Sequence, residues 1–481
     1  MIAAVVGFGG TMSSLDTTVV NVALDTVARD FGVSIARVQW VTTAYLLALA
    51  TVIPVSGWAS DRFGAKRVWM ASAGLFLAGS MLAGAAWSLE SLVGFRVLQG
   101  LGGAMLVPVG MTLVTRAAGP ARMGRVMGVL GVPLLLGPVL GPVIGGILVE
   151  HAGWRWIFYV NVPVGALAIP LAARLLPRED PQRGKRFDAR GFLLVSPGMA
   201  ALVYGLAQGE SSGGFAAPRT LVPILVGAVL LCGFVLHALR TPDPLIDVRM
   251  FRKRPVAAAV GTTFCLGMGL FGALFLLPLY YQGARGLSPL DAGLMMVPQG
   301  IGAAIMIPFA GRITDRIGAG PVVLGGLTMI VIGTLPFAFA GTSTPYPVLA
   351  VALVVRGLGM GASTMPAMAG AYAALDPGEI ARAASALNVL RRLGGSLGVA
   401  LLAVVLERGL PGSTGGVTAR AAPTDVVADA FGQTFWWVVA FCALAFVPAL
   451  FLPRRPAISD DREAVSPPAR TGRTVGAGAN A

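Results

Sequence analysis

Apolar residues fall along this chain in long blocks, and short polar stretches between the blocks hold most of the charge. A hydrocarbon layer is crossed by about 20 helical residues at about 1.5 Å rise each. Fourteen runs reach that length: 2–24, 37–59, 68–88, 91–114, 124–149, 156–176, 190–208, 219–240, 255–281, 289–310, 320–340, 346–370, 383–406 and 431–452. Several are longer than a perpendicular crossing needs, which predicts tilt. The expected fold class is therefore an all-α polytopic membrane protein with 14 transmembrane helices.

The basic residues test this count, because cytoplasmic loops collect Lys and Arg. With the N-terminus inside, the inside loops and tail hold 27 basic residues and the outside loops hold seven. That count places Arg391 and Arg392 in the inside loop before the thirteenth run. Arg96 and Arg356 remain within spans. The split predicts both termini in the cytoplasm, in a plasma or inner membrane. The first run carries Asp16 and Asn21, so it reads as a retained span and not as a cleaved leader. The polar tail is expected to be disordered. The 407–430 segment, the longest outside the membrane, is expected to be flexible.

Composition narrows the class further. Of 481 residues, 56% are hydrophobic and 12% charged, against about 25% charged in soluble domains. Too little charge excludes a soluble globule, and too much apolar surface excludes a disordered chain. A net charge of +14 would suit nucleic acid, but its confinement to loops between spans is a topology signal. No nucleic-acid partner is expected. Cys232, Cys265 and Cys442 lie in separate apolar runs with no pairing or metal spacing. Phosphate loops, paired carboxylates and nucleophile elbows are absent. The chain is thus expected to be no enzyme and to bind no metal or cofactor, and ATP drive would need a separate subunit.

An internal repeat organises the spans. Pro54, Gly57, Asp61, Arg62 and Gly64 recur as Pro308, Gly311, Asp315, Arg316 and Gly318, at one offset of 254. Arg96 recurs as Arg356, and Gly137 and Gly141 recur as Gly394 and Gly398, in the same order. Each match shifts the chain by eight spans, an even number, so the repeat is parallel. This predicts a six-helix half over 1–176, two inserted helices with cytoplasmic loops over 177–254, a second six-helix half over 255–452, and the tail over 453–481. Parallel halves are one transporter plan, with the binding site at their interface near the midplane.

Four groups of residues carry candidate chemistry. Asp16 is the carboxylate clearly within a span. Such a residue costs about 2.5–3.5 kcal/mol to insert, and so tends to face a cavity or a partner. It is expected to take up and release a proton; the alternative is a packing role through Thr17, Thr18 or Asn21. Arg96 lies mid-span with Gln99 on the same helical face and needs a carboxylate, carbonyl or water. On the residues alone it reads as a structural anchor that holds the fourth span to the first or second; Arg356 is read as structural. In the fifth span Gly137, Gly141 and Gly145 recur every four residues, Gly146 follows, and Pro138 and Pro142 each remove a backbone bond and bend the helix. That face suits a neighbour that slides and seals, or plain small-residue packing. Gly57, Asp61, Arg62, Gly64 and Lys66, with the second copy at Asp315 and Arg316, form short turns in which an aspartate paired with an arginine latches the cytoplasmic gate.

These motifs carry a resemblance. The Gly57–Lys66 turn resembles the motif shared across the major facilitator superfamily. Leu15–Leu24, Trp154–Gly165, and Ala386–Asn388 followed by Gly394–Ser396 are similar to signatures of its fourteen-span drug:proton antiporter branch. The resemblance runs from about Gly10 to Phe451; Asp25 departs from it, where the family usually has proline. It implies the major facilitator fold, a role for Arg96 in proton transfer, and an antiporter motif in the fifth span.

The substrate cavity is the least legible part. Asn21, Tyr45, Phe271, Gln299 and Asn388 are expected to line it. The expected function is proton-coupled export of small amphipathic drugs or antibiotics by alternating access, from a monomer embedded in lipid. Export of one endogenous metabolite, or a sensor that has lost transport, stand as alternatives.

Overall fold

The computed structural model describes residues 2–118, 122–177, 186–208, 217–376, 378–410 and 424–454. Most of the 407–430 segment and the tail from 455 onward lie outside the described residues. Among the described residues there is no strand. Fourteen long helical segments follow one another: α1 Ile2–Phe31, α2 Trp40–Phe63, α3 Ala65–Gly84, α4 Leu89–Ala118, α5 Met123–His151, α6 Trp156–Leu175 and α7 Ala189–Gln208. They continue as α8 Pro218–Arg240, α9 Arg254–Gly283, α10 Leu290–Ile317, α11 Ala319–Ala338, α12 Tyr346–Tyr372, α13 Ile380–Gly409 and α14 Asp425–Ala449.

Eleven of these are long and apolar enough to cross a membrane. Helices run past the apolar blocks where polar residues continue the turn. Thus α1 extends through Asp25, Arg29 and Asp30, and α10 through Asp315 and Arg316. Local sequence sets the breaks. Single-residue turns at Gly64 and Gly318 join α2 to α3 and α10 to α11, with φ of +86° and +87°, a region that favours glycine. Proline sits in the first turn of α8, α9 and α12, where its missing N–H costs nothing.

Helices α1 and α5, α3 and α4, and α9 and α13 pack closely, and α12 packs closely on both α10 and α11. The first six and last six helices meet through α5 against α10 and α12, and through α13 against α2 and α4. Helix α7 lies on α2 and α13, fixed by Ser196 Oγ donating to the Thr51 carbonyl at 2.6 Å. Helix α8 packs on α7 and turns Leu225, Val229 and Leu236 outward. Apolar side chains so exposed are at home in lipid, where every backbone group must be satisfied within the helix.

Candidate functional site

In the middle of α1, Asp16 points toward α4 with its side chain fully buried. Arg96 Nη1 donates to Asp16 Oδ2 at 2.7 Å and to Gln99 Oε1 at 2.7 Å. Gln99 Nε2 donates to Asp16 Oδ1 at 2.8 Å. The three side chains close a ring of hydrogen bonds in which both carboxylate oxygens are occupied. One helical turn separates Arg96 from Gln99, so a single face of α4 presents both. The guanidinium is held from outside the ring as well: Nε donates to the Val41 carbonyl at 3.2 Å, and the Tyr45 ring lies 4.0 Å from Cζ. Aromatic faces attract such cations. Thr17 and Thr18 instead bond carbonyls of their own helix, Ser14 and Leu15.

The glycine face of α5 is the seat of α1. A Cβ at Gly137 would lie 2.8 Å from Ser14 Cβ; one at Gly141 would fall on Thr18 Oγ1 and 2.8 Å from Thr18 Cβ; one at Gly145 would lie 3.1 Å from the Val19 carbonyl. Gly146 faces away, toward Leu290 of α10. The α5 helix is continuous through Pro138 and Pro142, whose side chains lie outside the described residues.

The second half repeats the arginine without the acid. Arg356 is fully buried; it donates to Gln299 Oε1, to Thr334 Oγ1 at 3.3 Å and to the Gly269 carbonyl at 3.5 Å. A backbone carbonyl of α9 thus stands near the position that Asp16 holds in α1. Among the described residues Arg356 has no carboxylate partner.

Gly57 and Gly311 occupy equivalent places. A Cβ at Gly57 would lie 3.0 Å from the Ala381 carbonyl in the first turn of α13, and one at Gly311 would collide with the Gly124 carbonyl in the first turn of α5. The aspartates differ. Asp61 Oδ1 accepts from Arg116 Nη2 at 2.9 Å. Asp315 accepts from the backbone N–H groups of Gly124 at 2.7 Å and Arg125 at 3.0 Å. These are unsatisfied helix N-terminal donors, which favour a carboxylate. The expected aspartate–arginine latch is therefore corrected for Asp315, whose described partners are the amino end of α5. Lys66 donates to the Ala173 and Leu176 carbonyls, both at 2.7 Å, and so caps the end of α6. Arg62 is half-buried and Arg316 exposed.

Two carboxylates brace the helix starts outside the spans. Burial pushes the Asp188 carboxyl up, but the Gly191 N–H, His237 and the Leu245 N–H outweigh it and hold Asp188 below the usual range. Burial likewise raises Glu379, and the hydrogen bond from Lys253 at 2.7 Å with the Asp376 N–H lowers it further than burial raises it.

Between the halves lies a cavity of about 260 Å³. Helix α1 lines it with Ser13, Ser14, Thr17 and Thr18, and α9 with Leu266, Leu270, Phe271 and Leu274. Of the five cavity residues expected from sequence, Phe271 lines it. The others are corrected. Asn21 is exposed and accepts from Thr42 Oγ1. Tyr45 is consumed in stacking on Arg96. Gln299 faces Arg356. Asn388 turns to the Ala384 carbonyl and the Arg391 guanidinium behind the wall.

Sequence reasoning missed two residues of this wall, Arg391 and Arg392. Counted as loop charges, they lie well inside α13. The signal was present, since both fall within the apolar run 383–406.

Comparison with known proteins places this architecture. The chain is 41% identical over 477 residues to a protein of Mycobacterium tuberculosis (strain ATCC 25618 / H37Rv) named multidrug resistance protein B homolog, covering 93% of this chain and 88% of that one. It is 34% identical over 453 residues to a Klebsiella pneumoniae protein provisionally named multidrug resistance protein MdtD, covering 94% of each. In fold it is similar to the proton:xylose symporter XylE bound to 6-bromo-6-deoxy-D-glucose, with a TM-score of 0.62 at 15% identity over 93% of this chain and 94% of that one. Residues 6–399 match the Major Facilitator Superfamily, and the chain is a multi-pass membrane transporter belonging to that family.

Proposed function

We propose that this protein exports small amphipathic drugs or antibiotics across the cell membrane by alternating access, in exchange for protons. The observation that carries the reading is the closed Asp16–Arg96–Gln99 ring, buried beside a central cavity in a chain similar to proteins named for multidrug resistance. Protonation of Asp16 removes the negative charge that balances Arg96, and a buried pair that loses one charge is destabilised by about 3–5 kcal/mol. The ring then opens and α1 is freed from α4. Because α1 also seats on α5 and lines the cavity, its movement links proton uptake to the binding site. Asp315 ties the second half to the amino end of α5, and Asp61 ties α2 to α4 within the first half through Arg116; this end is read here as the cytoplasmic gate, with both termini on that side.

In this reading the repeat halves rock about the cavity and α7 and α8 ride outside them. The single chain is the working unit, no reaction is catalysed, and no cofactor is held. One proton entering across about 100 mV releases about 2.3 kcal/mol. At about 1.36 kcal/mol per tenfold, that sustains a gradient of about fiftyfold for an uncharged substrate.

The test is efflux of a panel of fluorescent amphipaths from cells expressing the protein, with and without a protonophore, beside Asp16→Asn. The expected result is protonophore-sensitive efflux that the variant loses at unchanged expression. Efflux that Asp16→Asn leaves intact overturns the assignment.

A further inference from the structure

We propose that the central cavity recognises an anionic group, so that the exported compound is an amphipath bearing a sulfonate-, carboxylate- or phosphate-like head; this rests on the export reading above. The inference comes from Arg391 and Arg392. Both line the cavity from within α13. Arg391 Nη2 reaches Asn388 Oδ1 at 3.3 Å, and Arg392 makes no hydrogen bond or ion pair among the described residues. The Nε atoms of both are buried without a partner. Neither arginine has a carboxylate among its described partners.

This is unlike every other deeply placed arginine described above. Arg96 has Asp16, and Arg356 has Gln299, Thr334 and a carbonyl. Ionisable residues at membrane depth pair with one another or mark a substrate path. Among the described residues no acidic side chain lines the cavity, and Asp16 spends both oxygens on Arg96 and Gln99. Two adjacent cations facing an apolar space repel a cationic ligand. An anion between them supplies the missing acceptors, since guanidinium forks match planar and tetrahedral oxyanions. The remaining wall suits such a ligand. Leu266, Leu270, Phe271 and Met360 offer apolar surface to its body.

The test uses three probes on one ring system: 2-naphthalenesulfonate, 2-naphthalenesulfonamide and 2-naphthyltrimethylammonium. Binding to the purified full-length protein is measured by calorimetry, and transport in proteoliposomes under an imposed pH gradient. The sulfonate is expected to bind more tightly than the trimethylammonium by about ten- to a hundredfold, the worth of one or two charge-assisted hydrogen bonds. Arg391→Gln/Arg392→Gln should erase that preference and leave sulfonamide binding within about twofold; Arg391→Lys/Arg392→Lys should retain it. The proposal is overturned if the wild type binds the cation as tightly as the sulfonate or binds none of the three. It is also overturned if the glutamine variant weakens all three alike, the mark of a pair that only holds α13 in place. Should the glutamine variant not fold, the wild-type preference and the lysine variant decide. Preferential sulfonate binding without gradient-driven transport supports the anion site and overturns export.

Discussion

Replacing Gly141 with alanine pushes a methyl group into α1. The new Cβ falls on Thr18 Oγ1 and within 2.8 Å of Thr18 Cβ and 3.3 Å of the Val19 amide nitrogen. A rotamer change moves the hydroxyl, but the Cβ and the amide move only with the α1 backbone. Overpacking of this kind costs about 1–3 kcal/mol, while alanine gains about 1 kcal/mol over glycine in a helix interior. The net effect at 141 is a loss of about 0–2 kcal/mol. Gly146→Ala, on the same helix, meets the Leu290 Cδ1 tip at 3.3 Å, which yields by a small shift and leaves the propensity gain intact. The two variants are thus expected to differ by about 1–3 kcal/mol. Thermal unfolding in detergent measures that gap. Efflux measures the second consequence: α1 carries Asp16, so Gly141→Ala should reduce transport and Gly146→Ala should not. Thr18→Ala removes one of the two colliding atoms and should restore part of the loss, with a coupling of about 0.5 kcal/mol or more. Equal stability and efflux for the two glycine variants, or no relief from Thr18→Ala, refutes the claim that this face seats α1.

The two buried arginines give an asymmetric pair. Arg96→Gln leaves Asp16 charged and unpaired and should cost about 3–5 kcal/mol, whereas Arg356→Gln strands only neutral acceptors and should cost about 1–3 kcal/mol; unfolding in parallel ranks them. Asp315→Ala removes the acceptor for two α5 N-terminal amides and should cost about 0.5–2 kcal/mol, read as faster hydrogen exchange at Gly124 and Arg125. Asp188 is held below its ordinary carboxylate range, so its contribution is present above the unfolded value of about 3.8 and is lost as pH falls through the lower folded value. Wild type should therefore lose stability against Asp188→Asn on acidification below about pH 4, in unfolding curves taken across that range.

What the sequence disclosed, it disclosed where one dimension is enough. The spans are runs long enough to cross a bilayer, and the turns at Gly64 and Gly318 follow from one glycine each. Asp16 and Arg96 stand out because a charge within an apolar run needs a partner. That each is the other's partner is read from the structure. The cavity was hidden because its lining depends on how each helix is rotated against its neighbours. Tyr45 and Asn388 are spaced as well as Phe271 to face the centre, yet one stacks on a guanidinium and the other turns to its own helix. Arg391 and Arg392 were misplaced for a different reason. A count of loop charges rewards putting every arginine in a loop, and α13 begins at Ile380, far enough upstream to carry both into the membrane. The partner of Asp315 is a pair of backbone amides, which leave no mark on side-chain identity.

One helix joins these features. Along α1, Ser13, Ser14, Thr17 and Thr18 face the cavity, Asp16 faces Arg96 and Gln99, and Ser14 and Thr18 also rest on the glycines of α5. In the proposed cycle, a proton that changes the charge on Asp16 acts on a segment that already lines the cavity and the interface between halves. No long relay is required, since the three contacts lie within two helical turns. A bulky residue at 137, 141 or 145 would separate α1 from α5 and leave the acid without a mechanical link. The second half has the matching arginine but no acid on α9. Its cations instead face the cavity from α13. The repeat thus supplies two equivalent frames, between which the proposed chemistry is divided: the carboxylate proposed to answer to protons in one, the guanidinium groups proposed to answer to the ligand in the other.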